Sequence, residues 1–345
     1  MIHDLLFHAI ISRLIHHQRL PGPDHVSIER LFHGIRRHLP PPWKAEVVIC
    51  PEASKGIGPR LRNTRHARNE AGQINHVVGD SHYLALGLPR QGLVLTIHDC
   101  ATLQRLRGVA REVFRQLWFV QPMRRAAVVT TISQSIREEL REWTGSLAAS
   151  VRVVPNCVGS EFLPDVKPAP LGEVVVLQVG VKWNKNVERV AEALRGTGCR
   201  LDIVGELSPR QRQQVAGTGT PFRELGRVSD AGLLEAYRRS DLLVFASLYE
   251  GFGLPVIEAQ ALGRPVVTSN FGAMAEAAGD GAALIDPRSV ESIRKAVTAI
   301  VGDSDYRNRL ISAGFENVRR YQPAVIASRY AEIYDELNGL GGKPS

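Results

Sequence analysis

The 345-residue chain is predicted to be an α/β protein with two doubly wound domains, each a parallel sheet with helices on both faces. Three observations predict this fold class. Short apolar runs alternate with helical patterns along the chain, which is typical of parallel sheets. The length is sufficient for two separate cores. A segment with three prolines and no periodicity, FLPDVKPAPLG at 162–172, predicts a linker between the halves.

The first half contains six candidate strands and a clear helical pattern at 135–143 (SIREELREW). Apolar and β-branched residues dominate the strand candidates, as expected of strands buried in a parallel sheet. They are SRLIHHQ at 12–18, AEVVIC at 45–50, INHVVG at 74–79, LVLTIHD at 93–99, AAVVTTIS at 126–133 and VRVVPN at 151–156. We assign residues 1–168 to the N-terminal domain.

The second half shows the same alternation more strongly. Its strand candidates are VVVLQVG at 174–180, RLDIVG at 200–205, LLVFAS at 242–247, PVVTS at 265–269 and AALID at 282–286. Helical patterns lie between them, so the strand-to-helix loops should meet at the carboxyl edge of the sheet, where such folds bind ligands. We assign residues 169–330 to the C-terminal domain and 331–345 to a final helix and tail.

The composition excludes several classes of protein. Hydrophobic residues make up 44% and charged residues 23% of the chain, which is globular rather than disordered. The four cysteines form no C-x-x-C pair, so we expect a reducing, cytoplasmic compartment without disulfides. No apolar run reaches the ~20 residues of a membrane span, and the N-terminal stretch lacks the features of a signal peptide.

The net charge of +8 belongs entirely to the first half. Residues 1–168 contain 22 Lys and Arg against 14 Asp and Glu, whereas residues 169–345 contain 21 of each. One interpretation is an ordinary solvated basic surface. The other is attraction to an anionic membrane face or an anionic acceptor. Nucleic acid is not an expected partner, because no basic motif with interleaved aromatic residues is present.

The stretch EGFGLPVIEA at 250–259 places two glutamates eight positions apart around a glycine-rich turn. It follows a buried strand and opens a helix, so its backbone N–H groups and the positive helix end offer a site for phosphate. Glycine allows a ligand to approach the backbone closely. A carboxylate at Glu258 can accept hydrogen bonds from ribose hydroxyls. We therefore expect Glu250 and Glu258 to hold the sugar and ribose ends of one ligand.

The same stretch resembles the two-glutamate pattern of retaining glycosyltransferases with the GT-B fold, family 4 in particular. The segments QVGVKWNKN (178–186), DIVGE (202–206) and PVVTSNFGAMAEAAGDGAALIDP (265–287) follow the family pattern in order. The first half is similar to a bacterial subgroup that builds surface polysaccharides, including lipopolysaccharide. The resemblance implies two Rossmann-like domains facing across a cleft, with the last helix, at about 324–340, packing back on the first domain.

The resemblance also implies the donor site. Lys185 matches the lysine that neutralises the leaving diphosphate, and Glu250 matches the catalytic glutamate. Lys182 is assigned beside it, although relatives carry their second basic group in a different register. A solvated surface lysine is the alternative for both. The other expected donor-binding residues lie in the loops after two strands and at the helix start: Gly205, Gly251, Phe252, Gly253, Leu254 and Glu258.

In the first half, His98 follows a strand and matches a histidine that faces the donor sugar in the family; a structural histidine is the alternative. Three residues, His76, Asp80 and His82, are candidates for the acceptor side, with structural roles or a metal site as alternatives. Gly22 and Ser27 fall on the first strand-to-helix loop, near the acceptor and the phosphates. No metal is expected in this fold class. The DSD at 303–305 lies between two helical patterns and is predicted to be a helix-capping turn.

The implied activity is transfer of a sugar, with retention of configuration, from a nucleotide-diphosphate sugar to a glycan or lipid-linked acceptor. The donor is expected to be UDP- or GDP-linked, and no other cofactor is expected. Peripheral contact of the basic first domain with the inner face of an anionic membrane is a further expectation. Two alternatives stay open: another enzyme on this fold, such as a nucleotide-sugar epimerase, and a catalytically silent nucleotide-sugar-binding subunit.

Overall fold

The computed structural model describes residues 12–22, 27–168 and 172–339. They form two compact units. The N-terminal unit comprises the chain up to Ile132, Ile136–Val154 and the chain from Ala324 onward. The C-terminal unit comprises Ser133–Ser135 and Pro155–Pro323. The division therefore falls after residue 154, not after the predicted residue 168.

The N-terminal unit has a six-stranded parallel sheet in the order β2-β1-β3-β4-β5-β6. The strands are β1 (Leu14–Gln18), β2 (Ala45–Ile49), β3 (Ile74–Val77), β4 (Leu93–Ile97), β5 (Val128–Thr131) and β6 (Arg152–Val153). The helices are α1 (Ser27–Arg37), α2 (Ile57–Asn69), α3 (Ala101–Arg105), α4 (Gly108–Arg115), α5 (Gln121–Arg125) and α6 (Gln134–Thr144). A π-helical turn, Gln116–Val120, joins α4 to α5. All six strand candidates of this half are confirmed.

The C-terminal unit has a second six-stranded parallel sheet, in the order β12-β11-β10-β7-β8-β9. The strands are β7 (Val174–Val179), β8 (Cys199–Val204), β9 (Phe222–Gly226), β10 (Leu242–Phe245), β11 (Val266–Ser269) and β12 (Ala282–Ile285). The helices are α7 (Val187–Leu194), α8 (Pro209–Gly217), α9 (Asp230–Arg239), α10 (Leu254–Ala261), α11 (Gly272–Ala278), α12 (Val290–Gly302) and α13 (Ser304–Val318).

This strand order is that of a dinucleotide-binding sheet, 3-2-1-4-5-6, counted from β7 as the first strand. The order reverses between β7 and β10, and ligands of such sheets bind outside the carboxyl ends of the strands at that point. The DSD turn lies far along the chain from both strands. Asp303 caps α13, since its Oδ1 accepts the N–H of Tyr306 at 2.9 Å, which confirms the capping prediction.

The last described helix, α14 (Pro323–Leu337), belongs almost entirely to the N-terminal unit. Its Tyr334 hydroxyl is buried and hydrogen-bonds to two buried histidines, with His16 Nε2 at 3.1 Å and His76 Nδ1 at 2.7 Å. The indole N–H of Trp43 donates to Asp335 Oδ1 at 2.8 Å. The helix is thus anchored by buried polar contacts to the first sheet. Among the described helices, none has both the length and the apolar composition needed to cross a membrane.

The segment 155–168 belongs to the C-terminal unit because hydrogen bonds and ion pairs attach it there. The N–H of Val158 donates to the Tyr321 carbonyl at 2.9 Å, and Lys167 Nζ lies 2.6 Å from Asp241 Oδ1. Arg264 is almost fully buried and contacts Asp165 through both its carbonyl and its carboxylate. These contacts move the domain boundary upstream of the proline-rich stretch.

Replacing Arg264 by alanine will lower the free energy of unfolding of the C-terminal unit by about 3–5 kcal/mol. The change removes a buried cation and leaves the oxygen atoms that accept its hydrogen bonds without a donor. Its guanidinium also donates to the carbonyls of Tyr237 and Arg238, each at 3.0 Å. Urea unfolding measures the change. The exposed Arg210 is the matched control, and its alanine variant should stay within about 0.5 kcal/mol of the parent. A loss below about 1 kcal/mol for Arg264→Ala would contradict this account.

Candidate active site

A lysine–glutamate pair lies at the point where the second sheet reverses its strand order. Lys185 is on the loop after β7 and Glu250 on the loop after β10, and β7 pairs with β10. Lys185 Nζ donates to Glu250 Oε1 at 2.7 Å. The two side chains are only 16% and 17% exposed. The structure therefore brings together the two residues that the sequence marked for the diphosphate and the sugar.

The Lys185 side chain is held by a tight turn at the end of β7. Residues 183–185 form a 3-10 turn, and the buried Gln178 donates to the Lys185 carbonyl at 3.1 Å. The ammonium lies 4.5 Å from the centre of the Phe245 ring, a cation–π contact. Gly180 has φ +88°, and a Cβ there would meet Lys185 Cε at 3.0 Å. Glycine at 180 therefore leaves room for the lysine stem.

The Glu250 carboxylate has a second donor, Asn184. Asn184 Nδ2 donates to Glu250 Oε1 at 3.0 Å and to the Tyr249 carbonyl at 2.8 Å. The Asn184 carbonyl in turn accepts the N–H of Leu248 at 2.8 Å. Asn184 thus ties the β7 loop to the β10 loop and positions Glu250. Sequence reasoning missed it, although it precedes Lys185 directly.

The start of α10 has the predicted form. Gly253 caps it with φ +109°, a conformation that favours glycine, and Pro255 is its second residue. Leu254 opens the helix and is half-buried. Gly251 is half-buried, whereas the Phe252 side chain is buried and packs edge-on against Tyr321. Phe252 therefore contributes packing under the loop.

Glu258 is half-buried within α10 and is held by a tyrosine. The hydroxyl of Tyr237, on α9, donates to Glu258 Oε2 at 2.8 Å. Burial, and then the adjacent Glu258 charge, raises the pKa of Tyr237 well above its usual value. Tyr237 therefore stays protonated and keeps donating to the carboxylate. The sequence did not single out Tyr237, which lies in an ordinary helical pattern.

Lys182 and Gly205 lie at the carboxyl ends of neighbouring strands, β7 and β8. The Lys182 side chain is exposed, and its carbonyl accepts the N–H of Lys185 at 2.8 Å. Gly205 has φ +124°, and a Cβ there would meet Val181 Cγ1 at 3.0 Å. Their donor-binding roles stay predictions.

In the N-terminal unit, the strand order reverses between β1 and β3. Gly22, which is half-buried, lies after β1, and the exposed Asp80 lies after β3. Ser27 is the first residue of α1, and its side chain lies outside the described part of the chain. These three therefore stay candidates for the acceptor side.

His98 lies just after β4, as predicted, and is buried. Its Nε2–H donates to the Val78 carbonyl at 3.0 Å, which leaves Nδ1 as the unprotonated nitrogen. Burial lowers the pKa of His98 to about 4, so the ring is neutral at neutral pH. A neutral imidazole at this edge can accept a hydrogen bond through Nδ1. Its role toward the donor sugar stays a prediction.

The contacts of His76 and His82 favour the structural alternative for these residues. His76 is fully buried, and its two ring nitrogens lie 2.7 Å from Tyr334 OH and from Thr96 Oγ1. His82 is buried and donates through Nδ1 to the Trp118 carbonyl at 3.0 Å. Both ring nitrogens of His76 and Nδ1 of His82 are thus bonded inside the unit, and both rings are buried rather than exposed at a surface.

Two units, each with a doubly wound parallel sheet, are the architecture of the GT-B fold class, and a lysine–glutamate pair lies at the switch point of the second sheet. Residues 160–317 match the family described as Glycosyl transferases group 1, and residues 16–162 match Glycosyltransferase Family 4. The chain belongs to the group 1 glycosyltransferase family, which confirms the resemblance noted in the sequence.

Two curated relatives show the same relationship. The chain is 30% identical over 273 residues to a phosphatidyl-myo-inositol mannosyltransferase of Mycobacterium leprae, covering 75% of this chain and 71% of that protein. It is 34% identical over 299 residues to the O-antigen chain mannosyltransferase B of Escherichia coli, covering 78% and 76%. Among solved structures, Anabaena Alr3699/HepE in complex with UDP and glucose has a TM-score of 0.74 at 17% identity, covering 94% of this chain and 100% of that one.

Proposed function

We propose that this glycosyltransferase moves a hexose from a nucleotide-diphosphate sugar to a glycan or lipid-linked acceptor of surface polysaccharide assembly, with retention of anomeric configuration. The observation that carries the proposal is the Lys185–Glu250 pair at the β7/β10 switch point. The two relatives named above, both mannosyltransferases, support a hexose. The UDP and glucose named for the Anabaena structure support a nucleotide-linked donor.

The donor diphosphate would compete with Glu250 for Lys185. In the structure the ammonium is neutralised by one carboxylate. A diphosphate carries more negative charge and would also meet the positive end of α10, so it is the stronger partner. Released from Lys185, the Glu250 carboxylate would accept hydrogen bonds from the sugar hydroxyls. Its hydrogen bond from Asn184 would keep it positioned for this. Glu258, held by Tyr237, would accept from the ribose hydroxyls.

Retention would follow from displacement on one face of the sugar. The bond from the anomeric carbon to the diphosphate oxygen breaks, and the acceptor oxygen attacks from the same side. The leaving diphosphate takes the acceptor proton. Such a reaction needs stabilisation of the leaving group and close orientation more than a strong base. Lys185 would supply the first, and Glu250, a positioned carboxylate, would help with the second.

Glu258→Ala will weaken nucleoside diphosphate binding by about tenfold, corresponding to one lost charge-assisted hydrogen bond of about 1.4 kcal/mol, and will slow turnover at saturating donor less. Calorimetry with UDP, GDP and ADP, with and without their common sugars and without added metal, measures this. Glu291→Ala is the control, because Glu291 is exposed in the first turn of α12. Unchanged affinity in Glu258→Ala would remove Glu258 from the ribose site.

The same panel tests the function itself. Binding of one nucleoside diphosphate, together with transfer of labelled sugar from its conjugate to a glycan acceptor, is the expected result. Analysis of the product's anomeric configuration tests retention. Conversion of the donor without an acceptor would indicate an epimerase, and binding without turnover would indicate a silent binding subunit. Failure of all three nucleotides to bind would overturn the donor site.

A further inference from the structure

An exposed tryptophan lies beside the lysine–glutamate pair. Trp183 opens the 3-10 turn that ends at Lys185, and it is 72% exposed. Tryptophan is usually well buried, because its large ring places much apolar surface in water when it is exposed. Trp43 and Trp118 follow that rule, and Trp143 is half-buried. The position of Trp183 is therefore not explained by packing.

The turn that presents the ring is fixed at both ends. The N–H of Lys185 donates to the Lys182 carbonyl at 2.8 Å, which closes the turn around Trp183. The buried Asn186 follows, and its Nδ2 donates to the Ala246 carbonyl at 3.1 Å. Because the backbone on both sides of the ring is already ordered, stacking of a ligand on the ring costs little conformational entropy of the turn. Trp183 is thus a preformed platform.

The indole and the pair differ in their exposure to solvent. The side chains of Lys185 and Glu250 are 16% and 17% exposed, and the ammonium lies 4.5 Å from the centre of the Phe245 ring. The pair is thus largely enclosed, whereas most of Trp183 meets solvent. When the enclosed pair holds the donor, the indole remains available to a second ligand.

Polar residues flank the indole on both sides in the chain. Lys182 precedes it with an exposed side chain, and Asn184 follows it and donates to Glu250 Oε1 at 3.0 Å. Binding sites for small molecules combine an aromatic surface with a few hydrogen-bonding groups in this way. A hot spot for a protein partner instead lies in a packed cluster from which water is excluded. The surroundings of Trp183 therefore favour a small polar ligand over a protein.

A sugar ring fits these groups. One face of a pyranose presents C–H bonds whose hydrogens carry partial positive charge, and the face of an indole is negative. The hydroxyls stand around the edge of the pyranose, where they can meet hydrogen-bonding side chains such as that of Lys182. A nucleobase could stack on an indole too. In the arrangement proposed above, however, Glu250 holds the sugar end of the donor and Glu258 holds the ribose that carries the base.

We propose that Trp183 binds the acceptor by stacking on the pyranose ring that receives the new sugar. The acceptor is accordingly a glycan, free or lipid-linked, that already ends in a pyranose, and not a lipid phosphate without a sugar. The inference rests on the proposed function, because it takes Glu250 as the residue that holds the donor sugar. Asn184, which positions Glu250, is the next residue along the chain, and consecutive Cα atoms are about 3.8 Å apart. A pyranose on the indole would therefore lie beside the donor sugar.

The first test measures whether a glycan shields the indole. Acrylamide quenches the fluorescence of exposed tryptophans, and the difference between the parent and Trp183→Phe isolates Trp183. The probes are mannotriose and maltotriose in the presence of UDP or GDP, at up to about 10 mM, where a ligand of millimolar affinity is mostly bound. At least one should lower the quenching of Trp183 about twofold, since a stacked sugar covers one of the two faces of the ring. Shielding by neither glycan, or equal shielding by the nucleotide alone, would overturn the proposal.

Variants separate stacking from simple apolar contact. Trp183→Ala should raise KM for the glycan that shields the indole about tenfold, the loss expected for one stacking contact, and should leave nucleoside diphosphate binding unchanged. Trp183→Phe keeps an aromatic face and should recover most of the affinity, whereas Trp183→Leu should resemble the alanine variant. Leu163→Ala, at another exposed apolar residue of the C-terminal unit, is the control and should leave KM unchanged. An equal rise in KM for Leu163→Ala would contradict the assignment.

The same measurements distinguish failure of this inference from failure of the proposed function. If no nucleoside diphosphate binds, the donor site is wrong and the inference falls with it. If the donor binds and its sugar is transferred, but KM for the glycan is unchanged in Trp183→Ala, only the role of Trp183 is overturned. Because Trp183 is exposed, its variants should keep the urea unfolding midpoint of the parent. A lowered midpoint would indicate a structural role for the ring instead.

Discussion

Lys185→Ala will lower turnover by about 10²–10³-fold, the loss seen when one group that stabilises developing charge is removed from an active site. In the proposed reaction the diphosphate gains charge as the sugar leaves. The 3-10 turn and the Phe245 ring hold the ammonium beside Glu250, where it would neutralise that charge. The structure adds a second cost. Without Lys185, the poorly exposed Glu250 carboxylate loses its counter-charge and keeps only the Asn184 donor from this turn.

Steady-state transfer with purified donor and acceptor measures the effect, and the loss should lie mainly in kcat. Lys295→Ala is the control, because Lys295 is exposed on α12. Lys185→Arg should recover only part of the activity, since the guanidinium is larger and planar and the space beside Gly180 is filled by the lysine stem. Near-parental turnover in Lys185→Ala would place the leaving-group contact elsewhere.

The second large effect is acid destabilisation of the N-terminal unit. Burial lowers the pKa of His17, His82 and His98 to about 4, from an ordinary 6.5. Above pH 6.5 these rings are neutral in both the folded and the unfolded chain, so they do not lower the free energy of unfolding. As the pH falls from 6.5 to 4, the unfolded chain takes up protons that the folded chain refuses. Each ring then costs about 3 kcal/mol by pH 4, at about 1.4 kcal/mol per pKa unit.

Urea unfolding between pH 7.5 and 4.5 measures this loss. Tryptophan fluorescence reports mainly on the N-terminal unit, which holds Trp43, Trp118 and Trp143. His82→Asn keeps a donor for the Trp118 carbonyl and should reduce the slope by up to about 1.4 kcal/mol per pH unit. The exposed His33→Asn should leave the slope unchanged. A pH-independent free energy of unfolding in this range would contradict the burial of these rings.

Most of the strands that sequence reasoning recovered are runs of apolar and β-branched residues, including β2, whose side chains are half-buried or exposed. It missed β9 because this edge strand, FRELG, is polar and at most half-buried, so it has no apolar run to detect. It placed the domain boundary too late because the prolines indicate only an irregular local backbone. They do not show which domain the segment packs against. The contacts of Arg264 with Asp165, which join residues 99 positions apart, decide where the segment packs.

For the site, sequence reasoning selected residues that stand in a recognisable local pattern. It did not select residues that position other side chains through hydrogen bonds. Lys185 and Glu250 stand in recognisable loops, whereas Asn184 and Tyr237 matter only through hydrogen bonds made across 66 and 21 positions. For His76 the sequence left acceptor-side, structural and metal-binding roles open. The structure favours the structural role, because Tyr334, 258 positions away, hydrogen-bonds to its Nδ1.

The anchoring of α14 to the first sheet has a consequence for biosynthesis. The C-terminal unit is almost continuous in sequence, so it can reach its native state as soon as Pro323 has left the ribosome. The N-terminal unit, although translated first, must wait for Tyr334 before the polar groups of His16 and His76 acquire their native partner. The N-terminal unit can therefore complete its native hydrogen bonds only after the whole C-terminal unit has been synthesised.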